Sequence, residues 1–368
     1  MNNEMKTYWM GLALVAAAMV ALPMGAGAKS KAAEEHAQTE AAATVLQGWY
    51  SQDSGLYATT GWWNSANAIT TLANLSRVSH STQYLPVFAN TLKAAQTGPK
   101  GAAGFLNKYY DDEGWWALAW IDVYDLTGDA QYLRMADSIF ADMQLGWDDA
   151  VCGGGVWWNK EKHGKNAIEN ELFLTVAAAL ANREQDAAKR QSDLMWAHKE
   201  WRWFLASGMI NAQSLVNDGL NYKDPAHCVN NGANTWTYNQ GVILGGLVEL
   251  NKADPDPALV RQAHAIAMAA VTRLVDPHGV LLESARGQRG GDGPQFKGIF
   301  ARNLMELNAA FPKRKYKKFF VVNALSVNAN DKDAEGHLGF WWNGPFDKAD
   351  AARQSSALDV LVGAYAVQ

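Results

Sequence analysis

What most limits the folds open to this 368-residue chain is the alternation in length of the links between its helical segments. Apolar periodicity near 3.6 residues places twelve segments between Ala32 and the C-terminus. The first six run approximately from Glu34 to Tyr50, Trp63 to Ser79, Tyr84 to Gln96, Trp115 to Leu126, Ala130 to Gln144 and Ala167 to Asn182. The other six run from Gln185 to Ser207, Thr237 to Asn251, Pro257 to Val275, Phe296 to Phe311, Lys313 to Asn328 and Asp350 to Val367. No run shows the strict alternation of a half-buried strand. After even-numbered segments the links are short, as in Thr127-Gly128-Asp129, where Asp129 reads as an N-cap, and Ala253 to Asp256, ahead of a first-turn Pro257. After odd-numbered segments they are longer and rich in Gly, Trp and Asn. Short links join antiparallel neighbours, whereas long loops in a compact domain usually carry function. A weak repeat, Gln83-Tyr84-Leu85 and Gln131-Tyr132-Leu133, opens two helices 48 residues apart. Helix pairs at such a period imply a closed array. The expected fold is an all-α (α/α)6 toroid, with six inner and six outer helices, over residues 29–368.

Residues 1–28 are read as a signal peptide, with Lys6 in the n-region, an apolar run from Trp9 to Met24, and the small-residue site Ala26-Gly27-Ala28. An N-terminal membrane anchor is the other reading, but the run is short for a span. No hydrophobic tail follows a polar spacer at the C-terminus, and no stable membrane association is expected. The protein is expected to be secreted or periplasmic, and a monomer. A net charge of −5 without basic runs excludes nucleic acid as a natural partner. Two cysteines and eight scattered histidines make no metal-ligand pattern, so neither metal nor cofactor is expected. Cys152 and Cys228 both fall in loops and are expected to lie near each other at the rim.

Sixteen tryptophans are many for any core. Their positions are patterned. Trp62-Trp63, Trp115-Trp116, Trp157-Trp158, Trp236 with Tyr238, Phe296 with Phe300, and Trp341-Trp342 each fall at or just before the start of an even-numbered helix. If those helices form the inner ring, all six clusters meet around one mouth. Two readings fit them: plugs that close the end of the core, or stacking platforms for the apolar faces of sugar rings.

At the head of the fourth helix stand Asp111 and Asp112, with Glu113 beside them. One aspartate there is explained by capping and the helix dipole. Two adjacent ones crowd like charge, which raises at least one pKa. Glycoside hydrolysis requires such a pair, one carboxylate ionised and one acid still protonated. Adjacent Cα atoms, about 3.8 Å apart, suit the narrower carboxyl separation of retaining enzymes. Asn166 and Asn170, four residues apart at the head of helix six, either cap it or bond sugar hydroxyls; Tyr238, Asn239 and Lys297 carry the same ambiguity.

The stretch from Tyr110 to Trp120, YDDEGWWALAW, resembles the signature of glycoside hydrolase family 76, the endo-α-1,6-mannanases. So do Cys152 to Trp158, Lys165 to Phe173, Thr237 to Gly241, Phe296 to Phe300, and Trp341 to Ala357. The resemblance implies an (α/α)6 fold, α-mannan as substrate and retention without metal. It makes Asp111 the nucleophile and Asp112 the general acid/base. Tyr110, Trp115, Trp116, Trp158, Asn166, Asn170, Trp236, Tyr238, Asn239, Lys297 and Trp341 become candidate sugar-binding residues, with Trp62 and Trp63 added by position alone. Some fungal relatives resemble transglycosylases acting on mannose-containing glycans of the cell wall or of lipid anchors, which leaves transfer as the alternative to hydrolysis. A non-catalytic mannan-binding protein would not need the aspartate pair.

Overall fold

The computed structural model describes residues 26–99, 101–283 and 291–368. The leader expected over residues 1–28 lies, up to residue 25, outside the described residues. Twelve α-helices appear among the described residues: α1 (Ala26–Gln47), α2 (Trp62–Ser79), α3 (Leu85–Ala94), α4 (Tyr110–Thr127), α5 (Ala130–Met143), α6 (Ala167–Arg183), α7 (Ala187–Ala206), α8 (Thr237–Ala253), α9 (Pro257–Arg273), α10 (Gly293–Ala310), α11 (Arg314–Asn330) and α12 (Ala351–Ala366). Extended structure there is confined to two hairpins, β1 (Tyr50–Ser51) with β2 (Leu56–Tyr57) and β3 (Leu220–Asn221) with β4 (Val229–Asn230), and isolated bridges.

The even helices form the inner ring. α2 packs on α4, α4 on α6, α6 on α8, α8 on α10, α10 on α12, and α12 returns to α2. Their burial is that of elements surrounded on every side: α6 is buried without a break from Ala167 to Ala181, and α12 from Ala351 to Ala364. Outer helices bury one stripe only. In α5 it is Tyr132, Ala136, Ile139, Phe140 and Met143, the spacing of a single helical face. The N-terminal halves of the inner helices lie at one mouth and their C-terminal halves line a polar cavity at the other, reached by Arg77, Asp122, Arg183, Glu249 and Glu306. Asp129 caps α5 by accepting the Gln131 N–H, and Pro257 opens α9, as expected.

Two glycines set the spacing of the ring. A Cβ on Gly241 of α8 would lie 2.6 Å from Phe300 Cα of α10, and one on Gly298 of α10 would lie 2.5 Å from Ser356 Cα of α12. The obstacle in each case is backbone, which cannot swing aside.

α4 starts five residues earlier than the sequence pattern suggests. Gly114 lies inside the helix at a close approach: a Cβ there would meet Leu172 Cβ of α6 at 2.8 Å. Glu113 reaches back to accept the Asn107 N–H at 3.0 Å, and the acidic first turn suits the helix dipole. Asp111 and Asp112 are therefore helical residues of that first turn. Similarly α10 begins at Gly293 rather than Phe296, with Pro294 in its first turn.

Cys152 and Cys228 form a disulfide with Cα atoms 5.2 Å apart. It ties the loop before α6 to the β3–β4 hairpin. Lys165 holds the same loop from beneath. Its buried ammonium donates to the carbonyls of Asp148, Gly154 and Gly155 at 3.1, 2.7 and 2.6 Å.

Gly241→Ala and Gly298→Ala are each expected to destabilise the fold by about 1–3 kcal/mol, because overpacking outweighs the better helix propensity of alanine. Denaturant midpoints read this directly; an unchanged or raised midpoint contradicts the close-approach account.

Candidate active site

Successive residues of an α-helix point roughly 100° apart, so the two members of the aromatic doublets in α2 and α4 cannot both face the ring axis. This sorts the tryptophans. Trp63, Trp115 and Trp158 line a groove of about 500 Å³ at the N-terminal mouth, together with Tyr109, Asp111, Asp112, Tyr238, Asp292 and Phe296. Their sequence neighbours turn away. Trp62 is buried against Phe105 and Trp116, and its indole N–H donates to the Ala95 carbonyl at 3.1 Å. Trp116 is fully buried between Phe105 and Trp120. Both are core side chains and not groove-facing ones as the sequence pattern suggested.

Other expected site residues also lie off the groove wall. Tyr110 is buried, with the Lys160 ammonium over its ring. Asn166 caps α6 reciprocally with Glu169, and Asn170 spends its amide on both backbone groups of Val156, at 2.7 and 3.2 Å. Asn239 is fully buried in the first turn of α8. Lys297 donates to the Phe340 carbonyl and sits over the rings of Phe340 and Trp342. Burial pushes its pKa down to about 7. Trp236 packs edge-on against Phe296, and Trp341 against Phe340, and neither lines the groove.

The wall itself is a continuous run of rings. Trp63 stacks on Trp115 at 5.7 Å, Trp115 on Tyr238 at 6.5 Å, and Tyr238 on Phe296 at 3.9 Å with planes 5° apart. Tyr109 and Trp158 form a second pair at 4.8 Å. Burial, aided by the charges of Asp218 and Asp111, holds the Tyr238 hydroxyl well above its usual pKa, so it stays a donor.

Within this wall the two aspartates are held differently. Asp111 Oδ2 accepts the Trp158 indole N–H at 2.9 Å, and its Oδ1 accepts the backbone N–H of Asp112 at 3.0 Å. Asp112 Oδ2 accepts the Asn107 amide at 2.6 Å. Burial lifts Asp111 well above the ordinary carboxylate range, the charge of Asp112 adds to this, and the Trp158 bond opposes it. Burial likewise pushes Asp112 up to about 6 against the Asn107 bond, with the charge of Asp292 adding to the rise. Crowding was the cause expected from sequence; removal from water is the larger one. The pair can hold one proton between them near neutral pH, as a carboxylic acid beside a carboxylate.

The sequence contains a second adjacent pair, Asp148 and Asp149, in a contrasting state. Asp148 accepts from the Trp157 indole and from Lys162, which help bring its pKa down to about 2, and Asp149 accepts from the Trp147 indole and Lys199. Both are fully committed anions and line no part of the groove. For a metal, the candidate ligand group among the described residues is Asp333, Glu335 and His337, with ligand atoms within 4.8 Å of one another. Asp333 already spends both oxygens there, on the N–H groups of Glu335 and His337 and on the His337 ring.

Asn107, Tyr109 and Asp292 are groove or supporting residues that were absent from the expected set, whereas Phe296 lies at the mouth as its cluster suggested. Asn107 and Asp292 sit in stretches that read as plain loop, and only the fold brings them to the aspartates.

The family model for glycosyl hydrolase family 76 matches residues 30–368. The chain belongs to that family. The mannan endo-1,6-alpha-mannosidase DCW1 of Saccharomyces cerevisiae is 27% identical over 279 residues, covering 70% of this chain and 60% of the yeast protein. That of Candida glabrata is 26% identical, covering 70% and 61%. The chain thus spans about 60% of the length of these curated relatives. Among solved structures, an inactive variant of an α-1,6-mannanase of Salegentibacter sp. HEL1_6, with two consecutive aspartates replaced by alanine and α-1,6-mannotetrose bound, superposes with a TM-score of 0.81. It is 25% identical, over 91% of this chain and 99% of that one. The family 76 mannosidase of Bacteroides thetaiotaomicron has a TM-score of 0.75 at 16% identity, over 89% and 97%, a likeness of fold.

Removing the hydrogen bond that favours ionised Asp112 raises its pKa. Asn107→Ala is therefore expected to move the Asp112 titration to higher pH than the wild-type value near 6. The side-chain carboxyl 13C shift in aspartate-labelled protein, followed against pH, reads this; an unmoved or lowered titration contradicts the assignment.

Proposed function

We propose that this protein is a retaining glycoside hydrolase that cleaves α-1,6-mannosidic bonds within α-mannan, with Asp111 as nucleophile and Asp112 as general acid/base. The observation that carries the proposal is the half-buried pair Asp111–Asp112 sharing a groove with Trp63, Trp115, Trp158 and Tyr238. Of the two adjacent aspartate pairs, this one is kept protonatable. The Salegentibacter relative is inactive when two consecutive aspartates are replaced, and it was solved with an α-1,6-linked mannose oligosaccharide. Both facts support the assignment.

The roles rest on the family resemblance, and the hydrogen bonds support them. Two donors, the Trp158 indole and the Asp112 backbone, aim the Asp111 carboxylate and oppose the burial that raises its pKa, which favours the ionised form a nucleophile requires. Asp112, raised to about 6, holds a proton at mildly acidic pH for the departing glycosidic oxygen. In the first step the Asp111 carboxylate bonds to the anomeric carbon as the leaving oxygen takes the Asp112 proton. In the second, Asp112 takes a proton from water, which displaces Asp111 from that carbon and releases a chain whose new reducing end has the starting configuration. The leader pattern supports export, as does the Cys152–Cys228 bond, since disulfides persist in oxidising compartments. Among the described residues no helix is long and apolar enough to cross a membrane.

Digestion of linear α-1,6-mannan, with products sized by chromatography, tests the substrate: hydrolysis gives short oligosaccharides, whereas transfer gives products longer than the substrate. Asp111→Asn and Asp112→Asn are each expected to reduce turnover about a thousandfold or more while leaving folding and sugar binding intact. With an activated mannoside, Asp112→Asn still forms the glycosyl-enzyme, and azide releases it with retained configuration. Asp111→Asn with azide yields only the inverted product. Wild-type turnover by Asp111→Asn removes the site from consideration; swapped azide outcomes exchange the two roles.

A further inference from the structure

A third carboxylate faces the groove, and the fold gives it no structural task. Asp292 occupies the N-cap position of α10, where an aspartate normally accepts a backbone N–H of the first turn. Here it makes no side-chain cap bond. Its Oδ1 accepts the Trp63 indole N–H at 3.2 Å instead. The side chain is exposed and lines the same groove as Asp111 and Asp112. Pro294 has no N–H to offer, and the Gln295 N–H goes to the Asp292 carbonyl at 3.0 Å, so the carboxylate is left to the groove.

We propose that Asp292 and Trp63 together form the sugar subsite on the leaving-group side of the scissile bond, Asp292 accepting ring hydroxyls and Trp63 offering its ring for stacking. This rests on the α-mannan reading above. Three observations place the subsite. Trp63 belongs to the ring wall through its stack on Trp115, so a sugar lying on Trp63 continues along the groove past the aspartates. The charge of Asp292 acts on Asp112, the residue that meets the leaving oxygen, whereas Trp158 and Tyr109 stand on the Asp111 side. The indole N–H fixes one carboxylate oxygen of Asp292 and leaves the other open to the groove. A 6-linked mannose on the leaving side keeps its ring hydroxyls at positions 2, 3 and 4 free, and a fixed carboxylate is suited to accept from a neighbouring pair of them. Hydrogen bonds from hydroxyls to a carboxylate are among the stronger ones in sugar recognition.

The test compares two substrates at pH 5, below the value of about 6 to which Asp112 is raised, and again above it, so that a change in the Asp112 titration is read separately. One is α-1,6-mannotetraose. The other is α-1,6-mannobiosyl fluoride in the α configuration, which places no sugar on the leaving side and departs without acid assistance. Asp292→Asn is expected to lower kcat/KM for the tetraose relative to the fluoride by about ten- to a hundredfold, mainly through KM. Trp63→Phe, which keeps a ring but removes the indole N–H that orients Asp292, is expected to lower the same ratio. This second variant keeps the question open should the first fold poorly. An unchanged ratio, or a loss that appears only above pH 6, overturns the proposal, the latter assigning Asp292 to tuning Asp112. Equal losses on both substrates also overturn it. Wild-type protein that leaves the tetraose intact contradicts the α-mannan reading itself, which separates the two failures.

Discussion

Closing a ring of six helices requires neighbouring backbones to approach until no side chain fits between them at selected points. Gly241 against Phe300 and Gly298 against Ser356 are such points, both in the N-terminal parts of their helices, and Gly114 against Leu172 is a third. Everything at the groove mouth depends on this tightness. It brings the starts of α2, α4, α8 and α10, with the loop before α6, to one place, so that residues as distant in sequence as Trp63 and Phe296 line a common wall. It also withdraws the head of α4 from water. The resulting desolvation is the larger cause of the raised pKa of both, and a neighbouring charge, Asp112 for Asp111 and Asp292 for Asp112, is the smaller one.

That electrostatic state rests on a scaffold of buried polar groups. The loop bearing Trp158 is fixed by Lys165 from beneath and by the Cys152–Cys228 bond at its outer edge. Asn170 pins the Val156 backbone. On the other side Glu113, itself pushed up to about 8 by burial and bridged to Lys160 at 2.8 Å, holds the Asn107 backbone whose side chain reaches Asp112. Several residues read from sequence as sugar contacts thus belong to the frame that aims the contacts. Buried asparagine and lysine serve that end because each satisfies several backbone groups of an irregular loop at once.

The number, type and ring position of the helices were legible because apolar period, Asp N-caps and link lengths are local signals. The aspartate pair was legible for the same reason: its chemistry sits on consecutive residues. Which member of each tryptophan doublet faces the axis was not, since a shift of the helix start by a few residues rotates the choice; the start of α4 differed by five. The groove roles of Asp292 and Asn107 were out of reach as well. Each depends on a partner in another segment, Trp63 for Asp292 and the head of α4 for Asn107, and neither stands in a patterned stretch. The sixth aromatic cluster, at Trp341-Trp342, lines no part of the groove: Trp342 is buried, and Trp341 packs on Phe340.

The central claim is that two carboxylates from consecutive positions of one helical turn carry out a double displacement. The most direct test is the anomeric configuration of the first product, followed by proton NMR from the first minutes of α-1,6-mannotetraose cleavage, before mutarotation. Double displacement through Asp111 predicts that the new reducing end appears as the α-anomer and drifts afterwards toward equilibrium. First appearance of the β-anomer would show a single displacement by water and contradict a nucleophilic Asp111.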